Sequence, residues 1–230
     1  MTGKIAAIIP VAGIGKRFGG NQPKQYLALG SHSVLGHTLI NFLNIQEINP
    51  IVVVTSPGEI KRSKDLIEKE AINPDRIKFA EGGKERQDSV ANGLHCLPED
   101  TEIIIVHDGV RPFIKSDIIR RSIETARQKG ACIAAVPVKD TIKEVTGDRV
   151  IRTIPRDTLY QVQTPQTFKY EILVSAHRLA AEKNYYSTDE SSLVEWAGYP
   201  VTVVNGSYEN IKITTREDYF MAVQILERMS

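Results

Sequence analysis

KIAAIIPVAGIGKRFGGNQPKQY, residues 4–26, carries the strongest fold signal in the chain. Residues 5–9 form a continuous apolar run, which is typical of a strand buried on both faces of a parallel sheet. The run changes into a glycine-rich loop with three cations, Lys16, Arg17 and Lys24. Free backbone N–H groups beside cations favour binding of a phosphate chain. The simpler interpretation is a glycine-rich turn with solvated charges.

This loop departs from both common phosphate-binding motifs. The P-loop pattern fails because Arg17 stands where Ser or Thr is required. The dinucleotide pattern G-x-G-x-x-G fits at Gly13 and Gly15, but Phe18 occupies the place of the third glycine. The pattern therefore disfavours a NAD-dependent oxidoreductase. That class stays an alternative, as does a protein that binds a nucleotide without turnover.

The bulk composition limits the class of protein. A chain of 230 residues can form one large α/β domain, and a net charge of +1 argues against a nucleic-acid-binding surface. No segment approaches the ~18 apolar residues of a membrane span, and we interpret the N-terminus as a strand, not a signal peptide. Cys96 and Cys132 are far apart, which suits a reduced cytoplasmic compartment. We therefore expect neither a nucleic-acid nor a membrane partner.

Strands and helices are expected to alternate through the first 138 residues. Apolar runs predict strands at 51–56, 76–82, 102–109 and 132–138, with helices capped by Ser33, Ser56 and Ser116 between them. This order predicts a parallel sheet that binds ligands at the carboxyl ends of its strands. Those ends carry PVAGIGKR, EGGKERQDS and VHDGVRP.

The pattern changes after residue 138. Two alternating segments around TGDR predict a hairpin, which is expected to project and pack on a second subunit. Helices are predicted at 170–183, from a capping box at 187–190 onward, and from a second capping box at 215–218. A further strand is predicted at 201–206.

Seven motifs occur in order along the whole chain: PVAGIGKRF with PKQY, EGGKERQDSV, VHDGVRPF, VKDTIKEV, Arg156 with QTPQTF, TDESSLVEWAG and ENIKIT. Together they resemble the cytidylyltransferase family of the non-mevalonate isoprenoid pathway, which joins CTP and 2-C-methyl-D-erythritol 4-phosphate. The resemblance implies a single Rossmann-like α/β domain over 1–230, with a mostly parallel sheet flanked by helices. It also implies a projecting β-hairpin arm, 139–160, that exchanges across a homodimer.

The resemblance also implies a set of site residues. Arg17 and Lys24 would stabilise charge at the α-phosphate, while Arg156 and Lys212 would orient the attacking phosphate. The nucleotide contacts would be Pro10, Val11, Ala12, Gly13, Gly83, Ser89, Asp108 and Gly109. The acceptor pocket would contain Arg111, Thr141, Arg156, Thr164, Thr188 and Lys212. Asp108 would be the ligand of a Mg²⁺ cofactor, directly or through water.

The expected chemistry needs little from a general base. A phosphate monoester has a second pKa near 6, so the nucleophile is already largely ionised at pH 7. The difficulty is to bring two phosphates together while charge accumulates at the α-phosphorus. Catalysis is therefore expected to rest on positioning and cationic stabilisation.

Several site residues also have a structural interpretation. Asp108 can form an Asx turn or a helix cap, and Ser89 and Thr188 can be helix N-caps. Lys212 lies between two isoleucines in NIKIT, so a solvated strand face would show the same alternation. For His107, which has no second His or Cys at ligand spacing, we expect a structural hydrogen-bonding role.

Two positions depart from the family pattern. Val11 stands where the family usually has Ala in PAAG, and Gly109 stands where it usually has the first Ala of DAAR. The nearest alternative is the related ribitol-5-phosphate cytidylyltransferase, with the same fold and chemistry. Its loop usually reads AGGxGxRM, whereas this loop reads VAGIGKRF.

Overall fold

The computed structural model describes residues 3–13, 18 and 23–229. Eleven strands and seven α-helices lie in this part of the chain. In chain order they are β1 (Lys4–Pro10), β2 (Ala28–Leu29), β3 (His32–Ser33), α1 (Val34–Leu43), β4 (Ile48–Thr55), α2 (Ile60–Lys69), β5 (Ile77–Glu81), α3 (Arg86–Leu94), β6 (Thr101–Val106), α4 (Ser116–Lys129), β7 (Ala131–Pro137), β8 (Ile142–Thr146), β9 (Arg149–Ile154), β10 (Tyr160–Lys169), α5 (Tyr170–Lys183), α6 (Glu190–Trp196), β11 (Thr202–Asn205) and α7 (Arg216–Met229).

A seven-stranded sheet organises these elements, in the order β11-β7-β10-β6-β1-β4-β5. β1 pairs in parallel with β4 and β6, and β10 runs antiparallel to both of its neighbours. The α/β class and the mostly parallel sheet predicted from the sequence are therefore confirmed. No helix among the described residues has the length and apolar character needed to cross a bilayer.

The apolar run of β1 is buried because helices cover both faces of the sheet. Ile5 and Ile9 point into a cluster with α1, α2 and α4. Ile8 points into the opposite cluster, with α3, α5 and α6. All three side chains are at most 3% exposed, which explains why β1 has no polar alternation.

Two of the predicted caps are confirmed. The Ser33 side chain accepts from the N–H of Gly36 and caps α1. Thr215 and Asp218 form a reciprocal pair at the start of α7, in which each side chain accepts from the other residue's backbone N–H.

Three other caps are wrong. α2 begins at Ile60, because the Ser56 hydroxyl donates to the carbonyl of Ala12 instead of capping a helix. Ser116 is the first residue of α4, after an N-cap at Lys115. α6 is capped by Asp189, not through a box that starts at Ser187.

The predicted hairpin is present as β8 and β9. These two strands form their own two-stranded sheet, apart from the central one. Val145, Val150 and Ile151 on it are 52%, 59% and 57% exposed. The arm therefore leaves apolar side chains in contact with solvent in a single chain.

Candidate active site

The loops at the carboxyl ends of the strands meet, as the α/β order requires. The N–H of Val11 donates to the carbonyl of Val54 (2.8 Å), and the Ser56 hydroxyl donates to that of Ala12 (2.8 Å). The N–H of Gly82 donates to the carbonyl of Thr55 (2.6 Å). A side chain at Gly82 would collide with Ala12, so this glycine permits the close approach of the two loops.

Gly83 and Ser89 are joined to each other. The N–H of Gly83 donates to the Ser89 hydroxyl (3.1 Å), which in turn donates to the carbonyl of Glu85 (3.1 Å). Ser89 lies inside α3, and Asp88 accepts from the N–H of Glu85 at the helix start. The interpretation of Ser89 as an N-cap is therefore wrong.

The buried carboxylate of Asp108, just beyond β6, is the centre of a charge cluster. Its Oδ2 accepts from Arg111 Nε (3.2 Å) and lies 3.0 Å from Lys212 Nζ, while its Oδ1 lies 3.5 Å from Arg86 Nη2. Burial alone would favour the neutral acid, but these three cations hold the pKa of Asp108 well below its usual range. A single carboxylate thus gathers three cations at the strand ends.

This arrangement settles the structural alternatives for two residues. Among the described residues, the carboxylate of Asp108 pairs with side-chain cations, not with backbone N–H groups of an Asx turn or cap. Lys212 is not on a solvated strand face. The segment around Lys212 forms no strand. Two hydrogen bonds fix this segment: Ile213 N–H donates to the Val110 carbonyl (2.9 Å), and Arg111 donates to the Asn210 carbonyl (2.8 Å).

His107 and Thr164 hold the backbone of this cluster. Burial lowers the pKa of His107 to about 4, so the ring is neutral at pH 7. Its Nε2 faces the carbonyl of Arg111 (3.3 Å) and must carry the proton, so its Nδ1 accepts from the Thr164 hydroxyl (3.0 Å). The same hydroxyl accepts from the N–H of Asp108 (3.0 Å). The structural role expected for His107 is confirmed.

Thr164 reaches this position because the pairing of β10 is interrupted. The register between β10 and β7 shifts between Val162 and Gln166. Gln166 then donates to Asp189 (2.7 Å) and accepts from the N–H of Ser191 (3.0 Å). One irregular stretch of β10 therefore holds both the Asp108 loop and the start of α6.

The remaining predicted site residues fall into three groups. Arg17 lies outside the described residues, whereas Lys24 begins a short 3-10 turn, Lys24–Tyr26. Thr188 is exposed, just before the true cap of α6. Thr141 and Arg156 are exposed on the arm, where Arg156 donates to the carbonyl of Lys139.

Sequence reasoning missed Arg86 and Glu190, although both lie in motifs that it singled out. Arg86 Nη1 pairs with Glu190 Oε2, and Glu190 is 1% exposed. The two residues are 104 positions apart, so spacing gives no signal of the pair. Glu190 is the first residue of α6, whose Leu193 and Val194 are buried, and this is the one local indication that its side chain turns inward.

The described residues do not form a metal site by themselves. They contain no group of three or more His, Cys, Asp or Glu placed to hold an ion. Asp108 is ionised, as a ligand must be, and Mg²⁺ in nucleotide sites takes one or two carboxylates together with phosphate oxygens. This donor set fits a cation that arrives with a triphosphate and does not fit a resident one.

A cavity of about 660 Å³ lies behind α3, against α5, and not at the strand ends. His95, His177 and Tyr185 are among its lining residues. It is separate from the cluster around Asp108.

Comparison with known proteins supplies the family. A family model described as 2-C-methyl-D-erythritol 4-phosphate cytidylyltransferase matches residues 5–228. The chain belongs to the 2-C-methyl-D-erythritol 4-phosphate cytidylyltransferase family. Members of this family are nucleotidyltransferases, so the expectation of an enzyme of this class is confirmed.

Individual members of the cytidylyltransferase family match along nearly their whole length. The enzyme of that name from Desulforamulus reducens is 47% identical over 227 residues, which are 98% of this chain and 97% of the relative. The crystal structure of 4-diphosphocytidyl-2C-methyl-D-erythritol synthase from Anaerococcus prevotii has a TM-score of 0.86 and 34% identity, covering 98% of this chain and 97% of that one. The cytidylyltransferase structure from Thermus thermophilus has a TM-score of 0.80 and 31% identity, covering 97% and 99%.

Proposed function

We propose that this protein transfers the CMP group of CTP to 2-C-methyl-D-erythritol 4-phosphate. The products are 4-diphosphocytidyl-2-C-methyl-D-erythritol and pyrophosphate. The observation that carries the proposal is family membership over residues 5–228. The cations held around the buried carboxylate of Asp108 at the strand ends support it, because phosphate substrates need fixed cations there.

The reaction is an in-line displacement at the α-phosphorus. An oxygen of the acceptor phosphate attacks, a new P–O bond forms, and the bond to the β-phosphate oxygen breaks. Pyrophosphate leaves with the electron pair. The acceptor phosphate is largely a dianion at pH 7, so no residue is needed to remove a proton.

The nucleotide is assigned to the loops that meet after β1, β5 and β6. Pro10, Val11, Ala12 and Gly13 would line the phosphates, with Asp108 and Gly109 beside them. Gly83 and Ser89 would contact the cytosine ring through a backbone group and a hydroxyl. The packing of Gly82 against Ala12 supports this assignment, because it brings two of the loops together.

Cations supply the transition-state stabilisation. Arg17 and Lys24 would act on the charge that accumulates at the α-phosphate. One such well-placed donor is worth roughly 2.7–4 kcal/mol of activation free energy. Lys24 follows the same glycine-rich loop that β1 leads into, which supports its assignment.

The acceptor is assigned to the side of the site lined by Arg111, Thr164, Thr188 and Lys212. Lys212 would orient the attacking phosphate from within the same chain, where Asp108 already fixes its ammonium group. Arg gives a bidentate fork to a phosphate and Lys a single charge, so the pocket holds both kinds of donor.

The arm completes the site in a homodimer. Thr141 and Arg156 would reach the acceptor of the partner subunit, and residues 139–160 would be the dimerisation element. The exposed apolar side chains of β8 and β9 support this, because a second subunit would bury them.

A divalent cation is expected in a nucleotidyl transfer, and we propose Mg²⁺ with Asp108 as its protein ligand. The cation would neutralise phosphate charge when it is bound with CTP. We also propose a cytoplasmic location, which the two free cysteines support.

The test is pyrophosphate release with CTP and Mg²⁺, offering methylerythritol phosphate and ribitol 5-phosphate in parallel. We expect turnover with the first acceptor alone. Turnover with ribitol 5-phosphate alone would keep the chemistry and overturn the acceptor. No release with either, while CTP still binds, would reject catalysis in favour of a nucleotide-binding role.

A further inference from the structure

The first turn of α3 lies between two segments that the proposed function assigns to different substrates. The loop that precedes it carries Gly83, assigned to the nucleotide. On its other side lies the segment 185–190 between α5 and α6, which carries Thr188, assigned to the acceptor. Two side chains of this turn, Arg86 and Gln87, contact the segment directly.

Arg86 uses both arms of its guanidinium group. Nη1 pairs with Glu190 at the start of α6, and Nη2 lies 3.5 Å from Asp108 Oδ1. Although burial opposes the charge, the two carboxylates hold the pKa of Arg86 above its usual value. The planar fork of an arginine holds two carboxylates at fixed angles, whereas the ammonium of a lysine is a point charge with freely rotating donors and fixes no such angle.

Gln87 holds the same segment at a second place. Its Nε2 donates to the carbonyl of Tyr185 (3.1 Å), and its Oε1 accepts from the N–H of Ser187 (3.0 Å). The segment is thus tied to α3 on both sides of Thr188, by Gln87 before it and by Arg86 after it.

We propose that Arg86 and Gln87 are positioning residues that hold the acceptor segment 185–190 in register with the nucleotide loop. Neither side chain is assigned to the reacting atoms. They fix the place of Thr188 and Asp108, and through these the alignment of the acceptor phosphate with the α-phosphorus. This inference rests on the proposed function.

The test compares three variants that separate alignment from folding. Gln87→Ala removes the amide without leaving a buried charge. The double variant Arg86→Met with Glu190→Leu removes both charges of a pair whose carboxylate is buried, and such a replacement commonly keeps or raises stability when it packs well. Arg86→Lys keeps the charge and loses the fork. The matched control is Arg120→Met with Glu47→Leu, which removes an exposed pair of the same kind (3.0 Å) far from the substrates.

Wild-type turnover of methylerythritol phosphate is measured first, and it tests the proposed function without any variant. If wild type is active, we expect Gln87→Ala and the double variant to raise the KM of methylerythritol phosphate and to lower kcat/KM for it by about 100-fold, the cost of a misplacement near 1 Å. In Gln87→Ala, whose lost contacts lie in the acceptor segment alone, the Kd of CTP by calorimetry should change less than about threefold. The control should match wild type in every constant.

Three results would overturn the inference. One is a folded double variant with wild-type kinetics, which would make the pair purely structural. Another is an equal loss of CTP affinity and acceptor use in Gln87→Ala, which would indicate general damage. The third is full recovery in Arg86→Lys, because a single charge would then suffice. Inactive wild type would instead reject the proposed function, on which the inference depends.

Discussion

Gly109 and Val11 lie against each other, and the Val11 side chain fills the space that a side chain at position 109 would need. Replacing both residues tests whether these two departures from the family pattern compensate for each other in packing. A Cβ on Gly109 would overlap Cγ1 of Val11, and it would lie 3.1 Å from Ile9 Cγ2 and 3.4 Å from Leu35 Cδ1. Only the first contact is prohibitive. Val11→Ala removes that carbon, so the alanine pair found in the family becomes sterically possible.

The magnitudes follow from the packing. Gly109→Ala alone should destabilise by about 1–3 kcal/mol, because it overfills a closed site. Val11 is 5% exposed, so Val11→Ala alone should cost about 2 kcal/mol for the lost methyl groups and the cavity. In the double variant the new Cβ occupies the vacated space, so its destabilisation should be smaller than the sum of the two single costs by about 1 kcal/mol or more.

The free energy of unfolding in urea is measured for wild type, both single variants and the double variant, which together form a double-mutant cycle. Gly13→Ala is the control, since no atom of residues 3–13, 18 or 23–229 lies within 4 Å of a Cβ there, and its cost should be negligible. Additivity within about 0.5 kcal/mol would refute the steric argument, because residues that do not share space add to this accuracy.

Three further predictions concern the site and the arm. Thr164→Val should leave the N–H of Asp108 and the Nδ1 of His107 unpaired, at about 1–3 kcal/mol each by urea unfolding, whereas Thr164→Ser should stay near wild type; equal stability of both variants would contradict the hydrogen-bond relay. Burial lowers the pKa of His177 to about 4, from 6.5 in the unfolded chain. Between these two pH values the unfolded state binds a proton that the folded state does not, so the free energy of unfolding decreases as pH drops from 6.5 to 4. His177→Leu should reduce that slope by about 1 kcal/mol per pH unit in unfolding measured across this window, and an unchanged slope would show that the imidazole titrates freely. Val150 is an exposed apolar residue of the arm, so Val150→Asp should convert the proposed dimer to a monomer in light scattering without changing the circular dichroism spectrum. An unaltered mass would show that the arm does not form the dimer interface.

The alternating elements of the first 138 residues are predictable because their signal is local. An apolar run such as that of β1 is sufficient for a buried parallel strand. β10 is different, because it lies in the middle of the sheet yet contains QTPQTF. Its polar side chains are satisfied by distant partners, for example Gln166 by Asp189 and Thr167 by Ser122 (2.9 Å). Such bonds leave no periodic pattern, so the strand was not predicted.

The candidate site divides in the same way. The convergence of glycine-rich and charged turns follows from the strand order, and it was predictable. The partners within the site were not, since Arg86 and Glu190 meet only after the chain has crossed the sheet. Ser56 shows the same limit at small scale: a Ser-Pro pair suggests a helix cap, but the hydroxyl is taken by Ala12 from another loop.

The position of β10 also governs the order in which this protein can assemble during synthesis. β6 is an inner strand in the finished sheet, but its partner β10 ends about sixty residues later in the chain. At roughly 5–20 residues per second, the ribosome leaves that edge open for about 3–12 s. The edge reads TEIIIV, an apolar, β-branched segment of the kind that pairs with other chains. Pairing with β10 therefore protects the open edge of β6. Fragments that stop before β10 are expected to aggregate.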